Sequence, residues 1–259
     1  MKKFINFLVT IWVGFSFVLY VCVYGSIVLL ISLIIEKLAS HRKAKDYLGI
    51  EVGRFGRAAF LLSFSKVKVS GKENVPKNGP TIIVSNHQSA FDIPLMAGFV
   101  KGRISFIAKK EVGKIPFLKW FVLRLDGILI ERGNKVQTAS SMRKILRVLK
   151  DGGTIMLFPE GTRDSSGNMG DFKEGSLTIP YKLNIPILPV AFDGTRKMLK
   201  KGSLLINPAR ISVRILKPIY PNEFSSEEEL RRRTEEIISN TLTAIRSDEG
   251  SDTDAKSQN

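Results

Sequence analysis

The segment Thr81–Asp92 has the sequence TIIVSNHQSAFD, and it decides the fold class. It begins with a short run of apolar, β-branched residues, continues into a polar loop and ends at an aspartate that is well placed to start a helix. Near-continuous apolar runs of this length are typical of strands in a parallel sheet that is covered on both faces. A strand followed by a loop and a helix is the repeating unit of α/β domains.

The same alternation continues along the chain on both sides of this segment. Helical spacing of apolar residues predicts helices over Ser140–Lys150 and Ser225–Ile245. We therefore expect an α/β fold with a central, mostly parallel sheet flanked by helices, in a catalytic domain over residues 66–245. The tail, residues 246–259, is polar and is predicted to be disordered. Further strands are predicted at Ile104–Ala108, Gly127–Ile130, Thr154–Phe158, Ile187–Phe192 and Ile211–Leu216.

The N-terminal end is far more apolar than the rest of the chain. No charged residue occurs from Phe4 to Ile35, a longer run than the roughly 20 residues that cross a bilayer as a helix. A secretory signal peptide has a shorter apolar region, so a retained membrane segment is the better interpretation. A second helix is predicted to pack its apolar residues from Leu48 to Leu62, with Glu51 on another face. Residues 1–65 are thus expected to form a membrane-associated hairpin, joined near residues 40–46, that either spans the bilayer or lies in one leaflet.

Charge and cysteine content restrict the partners. The formal net charge is +16, which favours an anionic membrane, a phosphorylated substrate or a nucleic acid. The apolar N-terminus favours the membrane over nucleic acid. With the single cysteine Cys22, the chain can form no internal disulfide and no thiolate metal cluster, and we expect no metal and no cofactor.

The first candidate site follows the strand of the opening segment. His87 lies just past that strand, at the kind of strand end where α/β folds place catalytic groups. Asp92 follows five residues later, and a tight turn would bring its carboxylate back to the imidazole. A carboxylate on one ring nitrogen fixes the tautomer and supports the charge when the other nitrogen takes a proton. The alternative is that Asp92 only caps a helix and His87 is structural.

Several other predicted strands end in a cation. Arg163 closes the segment FPEGTR that begins at Phe158, Arg132 follows the strand Gly127–Ile130, and Lys109 follows another. Arginine can hold phosphate through two parallel hydrogen bonds. Each of these residues taken alone is equally compatible with a solvated turn, in which Glu160 and Arg163 pair with each other. Together they predict a phosphate pocket beside a general base.

These segments resemble the blocks of the lysophosphatidic acid acyltransferases, the 1-acylglycerol-3-phosphate O-acyltransferase family, over roughly residues 66–220. The blocks, in order, are Asn86–Asp92, Gly127–Arg132, Phe158–Arg163 and Ile185–Val190. The chain departs from the usual pattern at Glu131, where aspartate is frequent, and at Asp164, where serine is usual.

The resemblance implies an activity and a role for each block. A fatty acyl group would pass from acyl-CoA or acyl carrier protein to the hydroxyl of lysophosphatidic acid, at the cytoplasmic face of the cell membrane. Glycerol-3-phosphate or another lysolipid is the alternative acceptor, and a non-catalytic binder of anionic lipid or nucleic acid is the alternative class. By this resemblance, His87 would be the general base and Asp92 would orient it. Lys109, Arg132 and Arg163 would bind the phosphate, and Glu160 and Gly161 would shape the pocket, with an oxyanion donor near Gly161. Pro186 and Pro189 would form a wall beside the acyl chain.

Overall fold

A computed structural model describes residues 2–109, 122–124, 126–130, 135–163 and 168–257. Arg132, Glu131 and Asp164 lie outside the described residues. The predicted role of Arg132 in phosphate binding therefore stays a prediction. The side chain of Lys109 is also outside the description, although its backbone is within it.

The core of the described chain is a seven-stranded sheet in the order β1-β7-β6-β2-β5-β3-β4. Five neighbouring strands, from β6 to β4, run parallel, whereas β7 is antiparallel to β6. This confirms the predicted mostly parallel sheet. The strand at the edge beside β7 was not predicted, because its sequence KVKVS alternates charged and apolar residues. The strands are β1 Lys66–Ser70, β2 Thr81–Ser85, β3 Ser105–Lys109, β4 Ile128–Ile130, β5 Thr154–Leu157, β6 Ile187–Asp193 and β7 Arg210–Ile215.

Helices cover both faces of this sheet, which explains why all five residues of β2 are buried. Ile83 belongs to an apolar cluster with Leu95 of the helix that follows β2. Its neighbour Ile82 points into a separate cluster with Ile145 and Ile238, from two later helices. The helices of this domain are α4 Asp92–Phe99, α5 Lys135–Lys150, α6 Thr178–Leu183, α7 Thr195–Met198 and α8 Glu227–Ser257.

The N-terminal segment is a helical hairpin, as the sequence predicts. Helix α1 (Lys2–Leu19) continues through a π-helical turn at Tyr20–Tyr24 into α2 (Gly25–Leu38), and α3 (His41–Leu62) returns alongside. The joint lies at Ala39 and Ser40, earlier than predicted, because the Ser40 hydroxyl caps α3 by accepting the Lys43 N–H at 3.2 Å. The basic residues expected in the turn therefore lie in the first turn of α3.

The interior of the hairpin contains a polar group that the sequence placed elsewhere. Glu51 is buried rather than exposed on a separate face. It accepts a hydrogen bond from the Tyr24 hydroxyl at 2.5 Å and pairs with Arg54 at 2.5 Å. The bond to Tyr24 joins the two arms of the hairpin, whereas the pair with Arg54 lies within α3.

The glycines of α3 allow it to pack closely on α4. A Cβ at Gly56 would lie 2.3 Å from the Pro94 carbonyl oxygen and 2.8 Å from the Gly98 Cα. Only a residue without a side chain permits this approach. The glycines that weaken the helical propensity of α3 therefore attach the hairpin to the catalytic domain.

Helix α8 continues past Ile245, the predicted end of the helix, to Ser257, within the segment 246–259 that is expected to be disordered. Two ion pairs hold the helix to the sheet beyond the predicted end. Arg246 pairs with Asp193 of β6 at 3.2 Å, and Asp248 pairs with Arg214 of β7. Composition alone could not predict these contacts, since their partners are distant in sequence.

Candidate active site

The parallel strands bring most of the predicted site residues to one edge of the sheet. His87 follows β2, Glu160 and Arg163 follow β5, and Lys109 is the last residue of β3. Carboxyl ends of parallel strands share an edge, and this is where α/β sheets bind their ligands. The edge also receives Thr195, which follows the neighbouring strand β6.

His87 and Asp92 form a hydrogen-bonded pair. The His87 Nδ1 lies 2.7 Å from Asp92 Oδ2. Asp92 is completely buried, whereas the His87 side chain is 20% exposed. Because the carboxylate accepts from Nδ1, Nε2 is the nitrogen that can take a proton from a substrate. Asp92 is also the first residue of α4. The alternative that Asp92 only starts a helix therefore gives its backbone position correctly but does not account for its hydrogen bond to His87.

The loop between β2 and α4 wraps around the Asp92 carboxylate. Oδ2 also accepts the backbone N–H groups of Gln88, at 2.7 Å, and Ser89, at 2.9 Å. On the other side, Oδ1 accepts the Thr195 hydroxyl at 2.6 Å. Hydrogen bonds of this kind fix the direction of a carboxylate.

Thr195 is a functional residue that the sequence analysis missed. It is fully buried and lies at the start of α7, directly after β6. The sequence feature that could have identified Thr195 is its position after a near-continuous apolar strand, which runs parallel to β2. A second missed contact supports the same loop: the Gln88 side-chain amide donates to Asp193 at 2.9 Å.

Glu160 positions the base rather than a cation. Its Oε1 accepts the His87 backbone N–H at 2.6 Å, and its Oε2 accepts the Gly170 N–H at 2.8 Å. Burial raises the pKa of the Glu160 carboxyl, and these two backbone bonds oppose the rise. The predicted alternative, in which Glu160 pairs with Arg163, is not the arrangement found: both carboxylate oxygens bind backbone amides.

The FPEGTR segment also contacts the imidazole directly. The Phe158 ring stacks on His87, with 4.0 Å between ring centroids and an interplanar angle of 18°. An aromatic face favours a cation, so this ring stabilises the protonated imidazole. Gly161 has a positive φ of 70° and donates its N–H to the Phe158 carbonyl at 3.0 Å. That N–H closes the turn, and the oxyanion donor expected near Gly161 stays a prediction.

Arg163 is half-buried at this edge, and the Lys201 ammonium donates to its carbonyl oxygen at 2.9 Å. Lys109 ends β3, two strands away from β2 and so about 10 Å to the side.

The two prolines of the fourth block lie away from the imidazole. Pro186 precedes β6 at the opposite edge of the sheet, where its carbonyl accepts the Ile82 N–H at 3.0 Å. Pro189 is buried inside β6 opposite Val84. Their positions do not support the predicted acyl-chain wall and instead give these prolines a role in the sheet.

An apolar cavity of about 180 Å³ lies between the hairpin, α4 and β3. Ile93, which follows Asp92 in the sequence, is among its lining residues, and neither Pro186 nor Pro189 is. The residues that define its two sides are Phe17, Tyr20, Val52, Phe55, Ala97 and Phe106.

Comparison with known proteins agrees with this geometry. The Acyltransferase family model matches residues 66–193. A 1-acyl-sn-glycerol-3-phosphate acyltransferase of Pseudomonas aeruginosa is 30% identical over 184 residues, which cover 70% of each chain. A chloroplastic enzyme of the same name from Arabidopsis thaliana is 32% identical over 162 residues, covering 62% of this chain and 45% of that protein.

A crystal structure matches nearly the whole chain. The 1-acyl-sn-glycerophosphate acyltransferase PlsC from Thermotoga maritima has a TM-score of 0.87 and 38% sequence identity, covering 95% of this chain and 98% of that one. The chain spans about half the length of two chloroplastic relatives, those of Arabidopsis thaliana and Brassica napus. The fold and the hydrogen-bonded His87–Asp92 pair are in keeping with the Acyltransferase family model. The chain belongs to the 1-acyl-sn-glycerol-3-phosphate acyltransferase family.

Proposed function

We propose that this chain transfers a fatty acyl group from a thioester to the free hydroxyl of 1-acylglycerol-3-phosphate, giving phosphatidic acid for phospholipid synthesis. The observation that carries the proposal is the His87–Asp92 pair, which lies at the sheet edge that also holds Arg163. The relatives' names point to the same acceptor. A protein that only bound anionic lipid or nucleic acid would have no need of a buried carboxylate on an imidazole.

The proposed reaction uses His87 as a general base. Nε2 removes the proton of the acceptor hydroxyl as its oxygen attacks the thioester carbonyl carbon. The tetrahedral intermediate then breaks its carbon–sulfur bond, and the imidazolium returns the proton to the leaving thiolate. Asp92 and the Phe158 ring stabilise the charged imidazole between these steps. A positioned base of this kind typically accelerates a reaction about 10²- to 10⁴-fold.

Arg163 is the proposed contact for the acceptor phosphate, and Lys109 and Arg132 are proposed to assist it. A fixed phosphate would hold the hydroxyl beside Nε2, and such positioning supplies a large part of the rate in two-substrate reactions. The acyl chain is proposed to enter the apolar cavity, since that cavity is lined mainly by apolar side chains and includes Ile93, the residue after Asp92.

The hairpin is proposed to hold the enzyme on the cytoplasmic face of the cell membrane, where thioester donors are available. Among the described residues, the helix Lys3–Leu38 is long and apolar enough to cross a bilayer. Its outward side exposes many large apolar residues, including Phe4, Phe7, Ile11 and Phe15. Deletion of residues 2–40 should move the protein out of the membrane fraction or make it aggregate. A truncated protein that still sediments with membranes in high salt would contradict the anchor.

An assay of the purified protein with two acceptors and two donors tests the proposal. The acceptors are 1-acylglycerol-3-phosphate and glycerol-3-phosphate, and the donors are acyl-CoA and acyl carrier protein charged with the same acyl group. We expect phosphatidic acid from the first acceptor with at least one donor. Lysophosphatidic acid from glycerol-3-phosphate as the dominant product would transfer the function to the alternative acceptor. No product from either acceptor would refute the enzymatic function.

A further inference from the structure

A short basic and apolar loop joins α7 to β7. This loop, Leu199–Ile206, has the sequence LKKGSLLI. Lys200 and Lys201 are exposed, and Leu204 is 88% exposed, more than any other large apolar side chain among the described residues. A single exposed leucine is ordinary on a soluble surface. This one is of interest because its loop lies against the N-terminal helix.

The loop lies against the first half of the N-terminal helix. The Ile206 N–H donates to the Thr10 hydroxyl at 2.9 Å, and the Asn6 side-chain amide bonds to Asn207. Ile206 also packs in one apolar cluster with Val9 and Val13. Leu204 is two residues from Ile206, so it lies within about 7 Å of chain from the surface of α1. Leu204 therefore lies close to the N-terminal half of α1.

The same loop is bonded to the catalytic edge. The Lys201 ammonium donates to the Arg163 carbonyl at 2.9 Å. The Ser89 hydroxyl donates to the Leu199 carbonyl at 3.0 Å. One continuous segment thus connects the surface of α1 to the turn that contains Arg163, the residue proposed to bind the acceptor phosphate.

We propose that this loop is a second membrane contact, in which Leu204 enters the acyl-chain boundary and Lys200 and Lys201 lie among anionic headgroups. The inference rests on the proposed membrane role of the hairpin. A lipid surface is favoured because the loop is bonded to α1, the helix whose outward side exposes many large apolar residues. The two cations of the loop also complement anionic headgroups. One exposed leucine is far too little for a protein interface, which needs about 800 Å² from each partner.

The contact would set the depth of the catalytic edge. With α1 alone on the membrane, the domain could rotate about the helix. A second contact at the loop prevents that rotation and holds the Arg163 turn at headgroup depth, where the acceptor phosphate resides. The loop would therefore affect the capture of membrane-embedded acceptor and leave the chemical step unchanged.

Site-specific fluorescence tests the contact on the full chain. In a Cys22→Ser background, Leu204→Cys is labelled with an environment-sensitive dye, and Leu183→Cys is the matched control. Leu183 is also an exposed apolar residue, but it ends α6 near the opposite edge of the sheet. The probe is a vesicle of mixed phosphatidylcholine and phosphatidylglycerol, prepared with and without nitroxide-labelled lipid.

We expect the emission at position 204 to shift to the blue on adding vesicles and to be quenched by the nitroxide, while position 183 stays unchanged. A label at 204 that remains aqueous on protein that floats with the vesicles would overturn the inference and leave the anchor intact. Protein that does not float at all would overturn the proposed anchor, and the loop contact with it.

A kinetic comparison extends the test to function. Leu204→Ser should raise the apparent KM for vesicle-embedded acceptor several-fold, with kcat and the KM for a monomeric short-chain acceptor unchanged. Leu183→Ser should change none of these values. Equal effects of Leu204→Ser on both forms of the acceptor would indicate damage to the site instead of a membrane contact.

Discussion

Thr195→Val removes one hydroxyl from the support of the catalytic dyad and should slow the reaction. The hydroxyl donates to Oδ1 of Asp92 at 2.6 Å, and neither residue has any solvent exposure. Hydrogen bonds to charged groups contribute about 1.5–3 kcal/mol, and water cannot replace this one. If the loss is expressed fully in the transition state, where Asp92 balances the imidazolium, kcat falls about 10- to 150-fold.

The assay is steady-state acyl transfer by purified protein, with Thr195→Ser as the matched control. Valine preserves the shape of threonine without the hydroxyl, whereas serine keeps the donor. We expect Thr195→Ser to stay close to wild type, and Thr195→Val to lose kcat with little change in either KM. Equal kcat values for the valine and serine variants, with both folded by thermal melting, would refute the positioning role of Thr195.

Three further outcomes follow from the site. Arg163→Ala should raise the KM for the acceptor by the loss of a charge-assisted contact of about 1.5–3 kcal/mol, far more than the KM for the thioester; equal effects on both substrates would count against phosphate binding. Incubation with labelled thioester alone should leave no label on the denatured protein. Neither candidate nucleophile is available, because the Ser89 hydroxyl donates to a backbone carbonyl and Cys22 lies in the apolar helix. Label that is removed by adding acceptor would instead establish an acyl-enzyme. Burial raises the pKa of Glu160 above its ordinary 4.5, so the contribution of this group to stability is complete below that pH and is lost as pH rises through the raised value. The unfolding free energy of wild type minus that of Glu160→Gln should therefore decrease from acid to neutral pH, and an increase would contradict the assignment.

The sequence predicted the sheet well because its central strands are apolar on both faces. The runs at Thr81–Ser85 and Ile187–Phe192 have no other stable location than a covered sheet. The edge strand Lys66–Ser70 was missed because one of its faces is solvated and charged. Local apolar pattern therefore identifies central strands better than peripheral ones.

The site was predictable only where its members are close in sequence. The five-residue spacing from His87 to Asp92 was enough to predict their hydrogen bond, which the structure contains. The Thr195 hydroxyl reaches Asp92 across 103 positions, and only the parallel pairing of β2 and β6 brings them together. The role of Glu160 could not be predicted either, because its two carboxylate oxygens accept hydrogen bonds from backbone N–H groups. Backbone N–H groups have no signature in the sequence.

The burial of Glu51 shows a further limit of periodicity. Its helical position is polar relative to the apolar residues of α3, so it was expected on another face. In the structure that face meets Tyr24 of the preceding helix, and the phenol hydroxyl supplies a hydrogen bond to the carboxylate. A single helix can show its own apolar side, but it cannot show which partner lies on the other sides.

The central claim is that His87 is the base of a direct transfer to lysophosphatidic acid. The most direct measurement is the rate of phosphatidic acid formation by His87→Ala and wild type in identical vesicles, together with thioester binding by both. We predict a loss of at least about 10²-fold for the variant, since it lacks the base, with thioester binding nearly unchanged. A His87→Ala variant that forms phosphatidic acid at close to the wild-type rate would contradict the claim.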